Sequence, residues 1–199
     1  DALRIAFGNE NIPIPLHLDG GEPVQTHVWD DEVQPLEADS TVSEWFSDNL
    51  QLKCRLVFFP EDNARPVDPQ YQRNGEHTSL SDGYPFLVIG QASLDLLNQK
   101  LYQPIPMNRF RPNFVFTGGE PHEEDEWNEF SIGDCRFAGV KPCARCAIPT
   151  IDQETGQKGM EPTRTLATYR ARNNKIYYGN NLLLLSGTEV AVGNRVVLH

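Results

Sequence analysis

The sequence predicts a mixed β-barrel with a few short helices, of mainly β or α+β class. Three observations carry this. Apolar runs are strand-sized, the densest being residues 86–89 and 182–185. Glycines break the chain at short intervals, most visibly at Gly179, Gly187 and Gly193. Only three places carry helix-start signals, near Thr41, Ser93 and Pro162. Many short strands with glycine punctuation are the mark of a closed or partly closed barrel. With 199 residues and 39% hydrophobic content, the chain can bury a full core.

Taken in order, residues 3–7, 12–18 and 24–29 read as strands, separated by the turn-rich Gly8-Asn9 and Asp19-Gly20-Gly21. A hairpin-built entry sheet follows from that spacing. Thr41-Val42-Ser43-Glu44 fits the capping-box pattern, so a helix is expected to begin there, to carry Trp45, Phe46 and Leu50 inward, and to end before Leu52. Residues 54–59 form a compact apolar strand. The polar stretch 60–82 reads as one long loop, of the kind that serves as a binding loop or lid. Residues 86–89 are a strand, and Ser93 is placed to cap a helix bearing Leu94, Leu96, Leu97 and Leu101. Strands at 114–117, 129–132 and 136–140 follow, the last two joined by a tight Gly133-Asp134 turn. Pro162 suits the first turn of a helix over 163–170. Strands at 176–178, 182–185, 188–192 and 195–198 finish the chain, with no internal repeat or low-complexity segment.

Composition narrows the function. No apolar run approaches the about 18 residues of a membrane helix, so a soluble protein without a membrane span is expected. A chain beginning at Asp1 with no signal-like block reads as a trimmed or truncated product. Four cysteines at irregular spacing do not form a disulfide framework, which fits a reducing, cytoplasmic setting. The formal net charge of −11 argues against a nucleic-acid polymer as partner. Its distribution is more telling. Residues 100–119 carry Lys100, Arg109 and Arg111 without an acid, and residues 135–151 carry Arg136, Lys141 and Arg145 without one, while 120–134 hold seven acids. If the two basic segments meet, they make a cationic pocket for a small anion.

The chemistry concentrates in Lys141-Pro142-Cys143-Ala144-Arg145-Cys146-Ala147-Ile148-Pro149-Thr150. A cation beside a cysteine favours the thiolate, the form that binds metals or attacks electrophiles. One Cys-x2-Cys is half of a zinc site, with Cys54 and Cys135 as the remaining candidates, but no second pair or His-x3-His accompanies it, and the histidines are scattered singly. A redox Cys-x-x-Cys prefers a helix N-terminus, whereas this one precedes the strand-like 147–151. Two thiols acting as small apolar residues is the plainest alternative, which the neighbouring cations argue against. A second constellation is Met107-Asn108-Arg109-Phe110-Arg111-Pro112-Asn113-Phe114. Pro112 favours extended backbone before it, and alternation then sends Arg109, Arg111 and Asn113 to one face, suited to a phosphorylated cofactor, unless the arginines are merely surface charge on an edge strand.

Together these residues resemble the MOSC domain. The resemblance rests on Arg109-Phe110-Arg111-Pro112-Asn113, Glu124-Asp125-Glu126-Trp127, Ile132-Gly133-Asp134, the cysteine motif through Thr150 and Asp152, then Thr155-Gly156, Glu161-Pro162, Thr165-Leu166 and Tyr169-Arg170. It extends upstream through Ser81-Asp82-Gly83-Tyr84-Pro85 and Ala92-Ser93-Leu94 to Val28-Trp29. Within the family the chain is most similar to molybdenum enzymes that reduce N-hydroxylated compounds, the amidoxime-reducing component and its bacterial relatives. The resemblance implies a molybdenum ion held by a pyranopterin (molybdopterin) cofactor and one protein thiolate, that of Cys146. Lys141 and Arg145 would favour its charge, and Cys143 would lie nearby. It also implies cofactor contacts from Arg109, Arg111, Pro112 and Asn113, from Asp82 and Gly83, and from Asn180 and Asn181. Residues 1–30 would then be the last strands of an N-terminal β-rich domain that supplies basic residues to the cofactor phosphate, and 31–199 the MOSC domain. Cofactor binding by this chain alone is therefore expected to be weak. Electrons would come from a separate donor protein, ferredoxin-like or a flavin reductase, for a small N-hydroxylated substrate. A cofactor-binding or sulfur-carrier module is the rival the family itself offers. Pro149 departs from the hydroxyl residue of many relatives.

Overall fold

A computed structural model describes residues 2–16, 20–61, 63 and 65–199. It divides into two compact units, residues 1–66 with 77–82 and residues 67–76 with 83–199.

In the first unit, β1 (Ala2–Phe7) and β2 (Glu10–Pro15) pair antiparallel about Gly8, whose φ of 59° few residues but glycine adopt. The expected continuation of the second strand through His17 and Leu18, and the turn residue Asp19, lie outside the described residues. β3 (Thr26–Val28) and β4 (Asp31–Val33) form a second hairpin with Trp29 at its corner. β5 (Leu36–Glu37) leads to helix α1 (Ser40–Leu50) and pairs with β6 (Val57–Phe58), a short remnant of the strand expected over 54–59. Asp39, not the capping box, starts α1: its carboxylate accepts from the Thr41 amide at 2.8 Å. The helix therefore turns Val42 and Ser43 into the core and leaves Leu50 55% exposed, contrary to expectation. The 60–82 stretch holds a two-residue pair, β7 (Arg65–Pro66) with β8 (His77–Thr78). Arg65, almost wholly buried, donates to Asp31 and to the Ser79 and Ser81 carbonyls, which fixes that loop.

The second unit is built on a seven-stranded mixed sheet. Its elements are β9 (Phe86–Gly90), α2 (Gln91–Lys100), β10 (Phe114–Phe116), β11 (Glu129–Ile132), β12 (Cys135–Ala144), α3 (Thr163–Arg170), β13 (Ala171–Arg172), β14 (Lys175–Ser186) and β15 (Val196–Leu198). The order is β10-β9-β14-β12-β11-β15, with β13 paired to β14; β9 and β10 are parallel and the other pairs antiparallel. The sheet rolls into a nearly closed barrel. Phe114 of β10 meets Phe137 of β12 at 5.2 Å although β9 and β14 lie between them, and Val196 of β15 packs on the same cluster of Val88, Phe116, Trp127, Phe130, Phe137 and Leu182. Each large apolar side chain buried there stabilises the fold by about 2 kcal/mol. The seam between β10 and β15 stays open as a cavity of about 750 Å³. Against the other face, α2 and α3 cover Ile89, Leu94, Leu97, Phe110, Leu166 and Tyr178. The two strands expected at 176–178 and 182–185 are one continuous β14, residues 188–192 are not a strand, and Ser93 lies inside α2 instead of capping it.

Candidate functional site

The thiols and cations gather where β12 runs out against β14, and backbone irregularity decides which side chains face together. Ladder partners step from Gly139↔Leu182 to Lys141↔Asn181, Pro142↔Asn180 and Ala144↔Tyr177, so there are bulges near Val140 and at 178–179. Gly179 has φ 80°, and a Cβ there would come within 2.7 Å of Ile89. The bulge shifts alternation by one residue: Leu182 packs in the barrel interior, while Tyr178, four residues back, packs under the helices. Directly paired residues share a face, so Lys141 and Asn181 project together, and Leu87 joins the row from β9. Asn113 extends that row: its amide donates to the Leu87 carbonyl and its Oδ1 accepts from the Leu87 amide, each at 2.9 Å.

Lys141 lies over the rings of Tyr71 and Tyr84, 5.1 and 6.0 Å from their centroids, with no carboxylate partner among the described residues. Burial, with Asp68 and Tyr71 adding to it, pushes the Tyr84 hydroxyl well above its ordinary pKa, so it stays neutral. Sequence reasoning missed both rings; Tyr84 stood within the quoted Ser81–Pro85 motif and was the available signal.

Past the strand, the Arg145 amide still donates to the Ile176 carbonyl at 2.7 Å. Its guanidinium donates from Nη2 to the Phe110 carbonyl at 2.8 Å and from Nη1 to the Cys143 sulfur at 3.2 Å. The guanidinium thus addresses Cys143, whereas the family resemblance implies that it favours the Cys146 thiolate. Cys146 itself is exposed, in the loop between β12 and a 3-10 turn at Ile148–Thr150 that replaces the strand expected there.

The Met107–Phe114 segment is not extended. Met107–Phe110 is a 3-10 turn and Arg111 adopts a left-handed conformation, φ 54°, so alternation does not send Arg109, Arg111 and Asn113 to one face. Arg109 turns inward, only 8% exposed, donating to the Pro149 carbonyl at 3.0 Å and to Asp152 at 2.8 Å. It moors the segment after Cys146. Arg111 is exposed and has no ion-pair partner among the described residues. The bonds from Arg109 and Arg145 bring the two basic segments together, which meets the condition that the charge pattern left open. Arg136 instead pairs with Glu129 at 2.6 Å.

Pro112 is half-buried between Arg111 and Asn113. Asn180 is 2% exposed and donates to the Glu124 carbonyl at 2.8 Å, so it faces away from Asn181 and holds the fold. Asn181 donates to the Lys141 carbonyl at 3.0 Å, which leaves its side-chain oxygen as an acceptor. Asp82 accepts from the Trp29 indole at 3.2 Å within the first unit; Gly83, exposed, begins the second unit's main segment. No group of three or more His, Cys, Asp or Glu side chains is placed to hold a metal among the described residues, so Cys54 and Cys135 do not complete a zinc site. The donor set fits a different group: an exposed thiol, and three cations, Lys141, Arg111 and Arg145, that no carboxylate neutralises. That combination suits a soft metal carried by an anionic ligand.

A nearly closed mixed barrel whose rim carries a Cys-x2-Cys among unneutralised cations defines a class, and residues 75–197 match that class as the MOSC domain; the chain belongs to this family. Particular relatives follow. Mouse mitochondrial amidoxime-reducing component 1 is 37% identical over 145 residues, covering 70% of this chain and 42% of that protein. The human protein is 32% identical over 181 residues, covering 84% and 53%. Molybdenum cofactor sulfurase of Arabidopsis thaliana is 31% identical over 162 residues, covering 72% and 20%. The chain thus spans about half or less of these relatives. Among solved structures, YiiM from Geobacillus stearothermophilus gives a TM-score of 0.45 at 13% identity, covering 90% of this chain and 71% of that one, too slight a likeness to carry an argument.

Proposed function

We propose that this chain is the MOSC domain of a molybdenum-cofactor-dependent reductase of amidoximes and other N-hydroxylated bases, with the metal held through Cys146. The observation that carries the reading is the exposed Cys146 thiol directly after Arg145, whose guanidinium bonds the Cys143 sulfur, with Lys141, Arg111 and Arg145 paired to no carboxylate among the described residues. Similarity to amidoxime-reducing components supports the substrate class. When bound, the pyranopterin-held molybdenum supplies two-electron oxygen abstraction. The chain's residues do the rest. Cys146 contributes the thiolate, the three cations balance the ligand's negative charge, and Asn113 and Asn181 offer amide hydrogens and a carbonyl oxygen for orientation. Arg109 keeps the Cys146 segment in place through Pro149 and Asp152.

In this reading residues 1–30 belong to an N-terminal β-rich domain and 31–199 to the MOSC domain, with Asp82 and Gly83 on a cofactor-facing loop. Electrons come from a separate ferredoxin-like protein or flavin reductase, and the compartment is the reducing cytoplasm, a reading that rests on the irregular spacing of the four cysteines. No helix among the described residues is long and apolar enough to cross a membrane.

The test is Cys146→Ser in full-length protein made in cells that synthesise the cofactor. Molybdenum per chain and amidoxime turnover should both fall by about 100-fold or more, with the melting temperature retained. Undiminished metal and turnover would remove the assignment. Similarity to the sulfurases favours a second reading, a sulfur carrier, for which the loaded wild type shows no turnover with a supplied reductase.

A further inference from the structure

Behind Arg145 lies a buried polar cluster that the site description does not use. Tyr178 stacks on Phe110 at 4.2 Å, and the Arg145 guanidinium lies 5.5 Å over the same Phe110 ring. His122 meets the Tyr178 ring at 5.6 Å and the Tyr169 ring at 5.9 Å. Lys100 sits 5.2 Å over Tyr169 and lines a cleft of about 510 Å³ between α2 and α3, with Thr165 and Thr168. A contiguous series therefore runs from an open cleft to the cation that touches Cys143.

Its polar atoms are unusual. Both ring nitrogens of His122, the hydroxyls of Tyr169 and Tyr178, Asp125 Oδ1 and Arg145 Nε are buried without a hydrogen-bond partner among the described residues. Each such group costs about 1–3 kcal/mol if left dry. Six of them would cost a sum of the order of the whole fold's stability, about 5–15 kcal/mol. Buried polar atoms of this kind are satisfied by ordered water, which makes about three hydrogen bonds per molecule.

The groups facing His122 are themselves paired and leave the cluster uncharged. Glu124 accepts from the Ser93 hydroxyl at 2.9 Å, which in turn accepts from the His122 amide at 2.8 Å, and Asp125 is paired with Arg170 at 2.5 Å. Burial, reinforced by Arg170, holds the imidazole down to about 4, and burial raises both tyrosines above their ordinary range. All three rings stay neutral near pH 7. A neutral imidazole or phenol with water on both sides accepts one proton as it releases another, so no net charge is left buried.

We propose that Tyr169, His122 and Tyr178, with bound water, form a proton path from the α2–α3 cleft to the site beside Cys143 and Cys146. It rests on the reductase reading: cleaving the N–OH bond with two electrons from the donor protein consumes two protons and yields the amine-type product and water. Solvent entering at Lys100 and Tyr169 replaces each proton that Tyr178 releases toward the site.

Two readouts test it. In this chain, labelled for NMR, the His122 ring should show cross-relaxation or exchange peaks to water; a dry ring overturns the path whatever the activity. In the full-length loaded enzyme, Tyr178→Phe keeps the ring packing and should lower kcat about tenfold with a larger solvent isotope effect, at unchanged KM and metal content. Tyr169→Phe should do the same more weakly. Unchanged kcat and isotope effect in both variants overturns the proposal. A loaded wild type that is inert sinks the reductase reading and the destination of the protons, while the water signals still report on the hydrated cluster itself.

Discussion

Strand β12 begins with one cysteine and carries another just before its last residue, and the two sit in opposite chemistry. Cys135 is 2% exposed, among Phe137, Phe130 and Ile132, and its thiol donates to the Glu189 carbonyl at 3.2 Å. Cys143, eight residues further along an irregular ladder, accepts a hydrogen bond from the Arg145 guanidinium, and the exposed Cys146 follows three residues on. Residue type does not decide reactivity here. Access to water and the sign of the nearest charge do.

The comparison is broken most severely by removing the irregularity that separates the two ends. Gly179→Ala places a Cβ 2.7 Å from Ile89 and 2.9 Å from the Val88 carbonyl, at φ 80°. The expected loss is about 3 kcal/mol, read as a fall of about 9 °C in thermal unfolding. Next is acid. His122 has its pKa depressed to about 4 in the fold, so between the ordinary imidazole range and pH 4 the unfolded chain binds more protons than the native one. Stability contributed by keeping it neutral is present above that range and lost as pH falls through it, by about 2 kcal/mol after discounting for its partial exposure. Glu124, whose pKa burial raises, acts in the opposite sense. His122→Phe should flatten the pH dependence of chemical denaturation; an unchanged slope contradicts the assignment. At the apolar end, Cys135→Ser buries a hydroxyl in an aromatic core and should cost about 1–2 kcal/mol without altering molybdenum content. At the other end, Cys143→Ser should change stability by less than about 0.5 kcal/mol and lower bound molybdenum by less than Cys146→Ser does. Equal metal loss in the two variants would erase the ranking between them.

Local patterns were legible where local chemistry decided the outcome. The β11–β12 hairpin follows from Gly133-Asp134 and flanking alternation, and α3 starts directly after Glu161-Pro162 as read. The charge segments pointed to neighbouring basic stretches, and Arg109 and Arg145 do join them, although Arg109 and Arg136 are spent in ion pairs. What stayed hidden was set by distant partners. The 3-10 turn at Met107–Phe110 is held by Arg109 reaching Pro149 and by Arg145 reaching the Phe110 carbonyl, neither visible from spacing. The outward Leu50 follows from Asp39 capping α1 and leaving no inward face for its last residue. The division of labour between neighbours such as Asn180 and Asn181, or Arg109 and Arg111, depends on bulges and backbone handedness that alternation alone cannot supply.

Arg109 carries one more consequence. Guanidinium does not titrate in any ordinary medium, and the Thr155 amide and hydroxyl, with Arg109, hold the Asp152 carboxyl below the usual carboxylate range. The fastening of the thiol-bearing segment therefore outlasts acidity at which His122 already acquires charge. Acid should loosen the interior of the barrel domain before it unties the rope that holds its reactive sulfur in place.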